Sequence, residues 1–382
     1  MFAQALIGSI GPVIVFVGGF IGLKLAPSES LATLPVACMI VGIAFFMLPA
    51  IKVLTLIGRK KGFILAVLVG VINALFTAYT IYLQSFVLFC LAISLFGFTI
   101  AAVQQFRFAA MESVEDDQGG NAVSALLIAG LLAAFIGPEI AFVGKDWLAT
   151  EFAGSFVGVA VLLFLSLGLL AFYQQIDKHQ HELHESARTL KAIIAQPVFK
   201  ASIISATVGF SVMSFIMTAT PISMHVFSGF DIAETKWVIQ SHIIAMYLPS
   251  FVTGALIRRF GASVILYAGV LALLTCIIVG YAGQQYVHYW GALVMLGIGW
   301  NFMFITATSL LPASYNSSEK YKVQGFNDLV MFSCQAIASL SAGWVITSLG
   351  WEIMLTVSLP LLALATFYIY LWQKTNNKKI ED

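Results

Sequence analysis

Long runs of apolar residues recur along the chain and alternate with short polar segments. Each run approaches twenty residues, the length that an α-helix needs to cross a hydrocarbon core about 30 Å thick. The pattern predicts an all-α membrane protein with twelve transmembrane helices. They are expected at 4–24, 33–55, 62–81, 84–105, 121–143, 153–174, 198–221, 236–256, 263–283, 290–312, 324–347 and 352–372.

Composition agrees with a chain embedded in a lipid bilayer. Of the 382 residues, 60% are hydrophobic and 10% are charged, whereas a soluble domain carries about a quarter charged residues. The net charge of +1 and the lack of a basic run argue against a nucleic-acid partner. Because the sequence carries no phosphate-binding loop, nucleophile elbow or HExxH motif, we expect neither an enzyme nor a bound cofactor.

The lysines and arginines predict how the spans are oriented. With the N-terminus inside, three of the 19 basic residues fall outside, at Lys24, Lys145 and Lys236, and the other sixteen fall at or near inner ends. Such a bias follows the positive-inside rule. Both termini are therefore predicted to be cytoplasmic.

The longest polar segment, at 173–197, separates two sets of six spans. It predicts an N-terminal six-helix bundle at 1–174 and a cytoplasmic linker at 175–197. A C-terminal six-helix bundle with a short cytoplasmic tail is expected at 198–382. Paired six-helix halves are typical of transporters that hold their substrate near the membrane midplane.

Two basic turns, GRKKG at 58–62 and RRFGA at 258–262, each follow the second helix of their half. The first turn resembles the loop motif of the major facilitator superfamily, and AAFIGPEIA in the fifth span resembles the Gly-Pro motif of its proton-coupled antiporters. The resemblance implies two six-helix bundles that work by alternating access. We expect the protein to be a monomer.

Acidic residues within the spans are candidates for proton coupling, because charges inside a bilayer are costly. Glu139 follows the Gly-Pro pair of the fifth span, and Asp328 lies near the inner end of the eleventh. Both are expected either to accept protons during transport or to pair with a neighbour and fix helix packing.

Methionine and histidine recur at helical spacing in the seventh and eighth spans. MSFIM places Met213 and Met217 four apart, and HIIAM places His242 and Met246 four apart. Residues four apart share one helical face, and the two pairs lie at similar depth. Three thioethers and an imidazole suit Cu(I). Ordinary core packing by the methionines is the alternative.

These two motifs also resemble the MxxxM and HxxxM motifs of the CcoA-like copper importers, a bacterial branch of the superfamily. LPVACMIVG, RFAAMES, GPEIA, GIGWNFMF and QGFND resemble other segments of that branch. The resemblance implies copper uptake across the bacterial inner membrane, delivery to a cytoplasmic copper acceptor and a role in assembly of cbb3-type haem–copper oxidase. It implies four copper ligands and three accessory ligands: Met213, Met217, His242 and Met246, with Cys38, Met39 and Met47.

An organic solute is the alternative substrate. Relatives within the same branch lack the metal motifs and include riboflavin-type importers, which share the GWNF and QGFND segments. An importer or exporter of riboflavin or of a drug would use the cavity residues Trp300 and Asn301.

Overall fold

The computed structural model describes residues 2–106, 119–173, 188–316 and 319–381, and these ranges contain helices and no strand. The helices of the first half follow the apolar runs. They are α1 (Phe2–Gly8), α2 (Ile10–Leu25), α3 (Leu34–Ile57), α4 (Arg59–Tyr82), α5 (Phe86–Gln104), α6 (Gly119–Val143) and α7 (Ala153–Ala171).

The second half begins with a short helix and continues with six longer elements. They are α8 (Leu190–Ile194), α9 (Pro197–Ile222), α10 (Ile232–Tyr247), α11 (Ser250–Phe260), α12 (Ala262–Ala282), α13 (Tyr286–Leu310) and α14 (Lys320–Glu381). The backbone of α14 leaves helical geometry at Gly350, with φ 82° and ψ 178°. This element therefore holds both the eleventh and the twelfth predicted span.

Each of the twelve predicted apolar runs is helical, although the first is divided between α1 and α2 and the eighth between α10 and α11. Among the described residues, nine helices are long and apolar enough to cross a membrane, or ten if α10 and α11, bent by 41°, form one span. That number counts α14 once although it carries two runs. It also leaves out α6, which carries the fifth run. The all-helical prediction is confirmed.

Glycine ends a helix at the same place in each half. Gly58, between α3 and α4, has φ 81° and ψ 157°, and Gly261, between α11 and α12, has φ 86° and ψ 154°. Positive φ at these values favours glycine. The two basic turns thus share one backbone conformation, which supports the internal repeat seen in the sequence.

Helix contacts occur both within each half and between the halves. Within the halves, α3 packs on α5 and α4 on α7, while α9 packs on α14 and α12 on α13. Between the halves, α3 meets α14, α6 meets α10, and α2 meets α9. In the turn that follows α9, the ring of His225 lies 5.2 Å from that of Phe20 of α2 and nearly perpendicular to it.

The predicted division into 1–174, 175–197 and 198–382 stays a prediction, because 174–187 lie outside the described residues. The end of the predicted linker, however, is anchored. Arg188 bonds the buried carboxylate of Glu319 through its backbone N–H at 2.7 Å, its Nε at 2.9 Å and its Nη2 at 2.7 Å. Its Nη2 also donates to the carbonyl of Ser314 at 3.1 Å. These bonds fasten the chain before α9 to the segment before α14.

The Arg188–Glu319 pair gives a pH-dependent prediction. Hydrogen bonds from the Arg188 side chain lower the pKa of Glu319 to about 2, below about 4.3 for an ordinary glutamate. A carboxylate whose pKa is lower in the folded state stabilises the fold above its unfolded pKa and stops doing so as pH falls through the folded value. We expect Arg188→Ala to lower the thermal unfolding midpoint in detergent at neutral pH. The gap from the parent should close as pH falls from about 5 to about 2.

The exposed Lys191, one turn away, provides the matched control. Lys191→Ala removes the same charge and should leave the midpoint near that of the parent. A gap between parent and Arg188→Ala that keeps its size at low pH would contradict the role given to the carboxylate.

Candidate functional site

Five aromatic rings meet in the second half of the chain. Trp300 stacks on Phe304, with centroids 5.1 Å apart and planes 19° apart. Phe210 presents its edge to both rings, at 5.1 and 4.9 Å. Tyr247 lies 6.2 Å from Trp300, and Phe332 lies 6.0 Å from Phe210. We call these five residues the aromatic cluster.

Four helices supply the aromatic cluster: α9, α10, α13 and α14. Trp300 and Phe304 are four apart on α13 and therefore share one face. Stacked and edge-to-face arrangements at these distances are favourable for aromatic rings. Trp300 is buried, whereas Phe210, Tyr247 and Phe304 remain partly exposed. The cluster therefore has an accessible surface.

The aromatic cluster lies where the two halves face each other. A Cβ added to Gly130 of α6 would come within 3.1 Å of the ring of Tyr247. The backbone of the first half therefore lies against the ring of Tyr247 at Gly130. Transporters built from two halves bind their substrate at this interface.

Polar atoms without a partner border the aromatic cluster. Trp300 Nε1 is buried and has no hydrogen-bond acceptor among the described residues. Gln335 donates through Nε2 to Ser214 at 2.6 Å, whereas its buried Oε1 accepts no bond from them. Gln335 lies three residues after Phe332 and Ser214 four after Phe210, so each shares a face with a cluster ring. One unused donor and one unused acceptor therefore lie beside the rings.

A series of polar contacts joins α6 to the first half of α10, the helix that ends at Tyr247 of the cluster. Lys236 donates to Glu139 Oε1 at 2.8 Å, and its side chain is only 7% exposed. Gln240, one turn further, donates to the carbonyl of Phe135 at 3.4 Å. The rings of Phe142 and Trp237 lie 4.7 and 4.9 Å from the Lys236 ammonium.

The sequence does not reveal the role of Lys236, because a lysine beside a loop is usually a solvated charge. The signal lies in the spacing, since Lys236, Gln240 and Tyr247 fall on one helical face. Glu139 pairs with a neighbour, Lys236, which is one of the two roles expected for it. Asp328 is half-buried and accepts from Asn327 Nδ2 at 3.2 Å. Proton coupling by either acid stays a prediction.

The predicted copper ligands are all buried. Met213, Met217, His242 and Met246 are between 0% and 8% exposed. Their helices, α9 and α10, both pack against α13. The sulfur of Met213 lies 4.0 Å from the hydroxyl of Ser214. Convergence of the four ligands on one ion stays a prediction.

His242 has a defined tautomer. Its Nδ1 lies 2.7 Å from the carbonyl oxygen of Leu293, and because a carbonyl only accepts, Nδ1 carries the proton. In the neutral ring Nε2 then holds a lone pair, and it has no partner among the described residues. The backbones of α10 and α13 are in close contact here, since a Cβ on Gly297 would come within 2.6 Å of the His242 carbonyl oxygen.

The predicted accessory ligands lie in the first half. Met39 is buried and Cys38 and Met47 are partly buried on α3, which packs chiefly against α5 and α14. Their role as ligands stays a prediction. Among the described residues, no group of three or more histidine, cysteine, aspartate or glutamate side chains is placed to hold a metal ion.

Asn301, predicted to line a cavity, is fully buried and braces the bend between α10 and α11. Its Nδ2 donates to the carbonyl of Met246 at 2.7 Å and to the hydroxyl of Ser250, and its Oδ1 accepts from Thr253 at 2.8 Å. Every polar atom of the side chain is engaged within the protein. Asn301 therefore stabilises the broken eighth span, whereas the N–H of Trp300 beside it has no acceptor among the described residues.

Comparisons with known proteins agree with this architecture. The family profile described as Major Facilitator Superfamily matches residues 1–339. The chain is 37% identical over 365 residues to the riboflavin transporter RfnT of Brucella anthropi, covering 95% of this chain and 92% of that protein. It is 27% identical over 378 residues to the MFS-type transporter YdeG of Bacillus subtilis, covering 94% and 87%.

Solved structures show the same fold. A D-xylose–proton symporter superposes with a TM-score of 0.73 at 13% identity, covering 96% of both chains. A bacterial homologue of the human lysosomal transporter Spinster, in an inward-facing and unoccupied conformation, gives 0.72 at 13% identity, covering 98% of this chain and 96% of that one.

These relatives correct one part of the sequence analysis. The resemblance to copper importers is not supported, because the relative of 37% identity is a riboflavin transporter. The wider resemblance is confirmed by the family profile and by the superposed folds. The chain belongs to the major facilitator superfamily, whose members are transporters and not enzymes.

Proposed function

We propose that the protein transports a flavin, with riboflavin as the first substrate to test. The observation that carries this proposal is 37% identity to a riboflavin transporter over 95% of the chain. Identity over nearly the whole length includes the helices that supply the aromatic cluster. The organic-solute alternative thus replaces copper as the main hypothesis.

The chemistry of the candidate site supports a flavin. An isoalloxazine ring is flat and aromatic, and its pyrimidine edge carries carbonyl oxygens and an N–H. Aromatic side chains bind such faces by stacking, as they bind nucleobases. The free N–H of Trp300 would donate to a flavin carbonyl, and the free Oε1 of Gln335 would accept from the flavin N–H. The site thus offers both a platform and matching polar groups.

We further propose import across a bacterial inner membrane by alternating access, with both termini cytoplasmic. The Glu139–Lys236 pair joins α6 and α10 towards the end predicted to be outer. Those helices must separate there when the protein opens outward. Protonation of Glu139 would remove its charge and weaken the pair, which gives protons a route to influence the cycle.

Copper is the second candidate, favoured by the geometry of His242. An imidazole that donates Nδ1–H to a backbone carbonyl and keeps Nε2 free is the usual arrangement of a metal-binding histidine. The same lone pair also accepts a hydrogen bond from an organic solute. The metal and the flavin hypotheses therefore differ in what they require of the methionines.

Replacing Trp300 tests the flavin hypothesis. Stacking on one aromatic side chain contributes about 1–3 kcal/mol for a nucleobase. We expect Trp300→Ala to weaken the apparent affinity for riboflavin about five- to 150-fold. Trp300→Phe keeps a ring and loses the N–H donor, so a loss of about threefold to tenfold is expected. Uptake of radiolabelled riboflavin into cells that cannot make it provides the measurement.

Two further variants are controls. Trp344 is 56% exposed, and Trp344→Phe should leave uptake near that of the parent. Met217→Leu keeps volume and apolarity but removes a soft ligand. Riboflavin uptake should survive this change, and copper accumulation should equal that of the parent. The flavin proposal is wrong if the parent takes up no riboflavin and instead accumulates copper, and if Met217→Leu abolishes that copper accumulation.

The ion pair between the halves gives an asymmetric prediction. Glu139→Gln leaves a buried ammonium unpaired, whereas Lys236→Met leaves a carboxylate that is 45% exposed and can be hydrated. We expect Glu139→Gln to reduce uptake about tenfold, and Lys236→Met to reduce it less. Exchanging the two residues, with Glu139→Lys and Lys236→Glu together, should restore much of the activity. Uptake is compared at equal amounts of protein in the membrane.

The Lys145–Glu151 pair provides a control, since both residues belong to the first half and lie 3.2 Å apart. Lys145→Met should have little effect. A double exchange no more active than Glu139→Gln alone would show that the pair does not act as a contact between the halves.

A further inference from the structure

Two cysteines on different helices face each other in the first half. Cys38 lies on α3 and Cys90 on α5, and their thiols lie close enough to interact. Both are free thiols, with Cys38 partly exposed and Cys90 buried. Apolar surroundings alone would make each an inert core residue. A second thiol beside the first gives the pair a chemistry that neither has by itself.

The backbones of these two helices are in direct contact next to the cysteines. A side chain at Gly42 of α3 would overlap the carbonyl of Ser94 on α5, and one at Gly97 would overlap Gly42. Small residues permit such close approach of helices in membranes. The contact fixes the separation of the two helices at this height.

The cysteines stand one turn away from that contact on both helices. Cys38 precedes Gly42 by four residues, and Cys90 precedes Ser94 by four. Because α3 and α5 are separated by one antiparallel span, they run in the same direction, and four residues shift both positions by about 6 Å the same way. The two cysteines are therefore level with each other on facing sides. A disulfide needs Cα atoms about 4.4–6.8 Å apart, and the backbone contact one turn away favours such a close approach.

We propose that Cys38 and Cys90 form an oxidisable dithiol, a site where a disulfide joins the second and fourth spans. The oxidant is an external disulfide. Cys38, the more exposed thiol, attacks it, forms a mixed disulfide and releases one thiol. Cys90 then attacks the sulfur of Cys38 and releases the second thiol. Two protein thiols lose two electrons and two protons, and one external disulfide becomes two thiols.

The predicted orientation places this dithiol on the oxidising side of the membrane. Both cysteines lie near the N-terminal ends of their helices, which are the ends predicted to be outer. Disulfides persist outside the cytoplasm and are rare within it. Both residues belong to one half of the protein, so the bond would not tie one half to the other. Transport should continue in the oxidised protein.

Reaction of the purified protein with 4,4′-dithiodipyridine tests the proposal. Two thiols that react with the reagent and then form a disulfide release two thiopyridone molecules and retain no pyridyl group. A lone accessible thiol releases one thiopyridone and keeps a pyridyl group. In the parent, we expect mass spectrometry of peptides to find Cys38 linked to Cys90. Cys90→Ser should leave a stable pyridyl adduct on Cys38, and Cys38→Ser should leave Cys90 unreacted. Cys334→Ser, which removes another partly exposed thiol, should keep the cross-link.

Thermal unfolding gives a second readout. Closing a loop between residues 38 and 90 restricts the unfolded chain, so the oxidised parent should unfold a few degrees higher, and dithiothreitol should reverse the shift. A stable pyridyl adduct on Cys38 of the parent, or unreacted thiols at both positions, would overturn the proposal. Neither result depends on the substrate, so the dithiol and the flavin proposals fail or succeed separately.

Discussion

A polar group inside a hydrocarbon layer has no water to bond, so it must find its partner within the chain. The helices satisfy the backbone in this way, and several side chains do so by bonding the carbonyl of a neighbouring helix. Asn73 donates to Ala92 at 2.8 Å, and Ser202 donates to Ala307 at 2.7 Å. These bonds tie helices together where apolar packing alone would discriminate poorly between one arrangement and another.

Because of this constraint, buried polar atoms that have no partner among the described residues are candidates for binding a substrate. The N–H of Trp300 and the Oε1 of Gln335 lie beside rings that are partly exposed, and the Nε2 of His242 lies on a neighbouring helix. Asn301 shows the contrast, because it directly follows Trp300 and uses all its polar atoms within the protein. A transport site must desolvate its cargo, so its polar groups have to be available when the cargo arrives.

Hydropathy predicts the spans because the free energy of placing a helix in lipid depends on the average apolarity of its residues. The candidate site is not visible at that level, since its five rings come from four helices and an apolar run does not reveal which face meets which neighbour. Lys236 shows the same limit, because its loop-side position hides its burial against Glu139 on α6. The methionine spacing is visible in the sequence, but the same spacing serves packing and soft-metal binding equally well, so it does not determine the substrate.

Ring and charge contacts of the described residues join the two halves towards the ends predicted to be outer, through Phe20 and His225 and through Glu139 and Lys236. In a protein that alternates, contacts at one end must break as the other end closes. Parting α6 from α10 would take the carboxylate away from the Lys236 ammonium and admit water in its place. Hydration would then offset part of the lost ion pair and bring the free energies of the two states closer together. A transporter that cycles repeatedly needs such a balance, since a pair too strong to replace would hold it in one state.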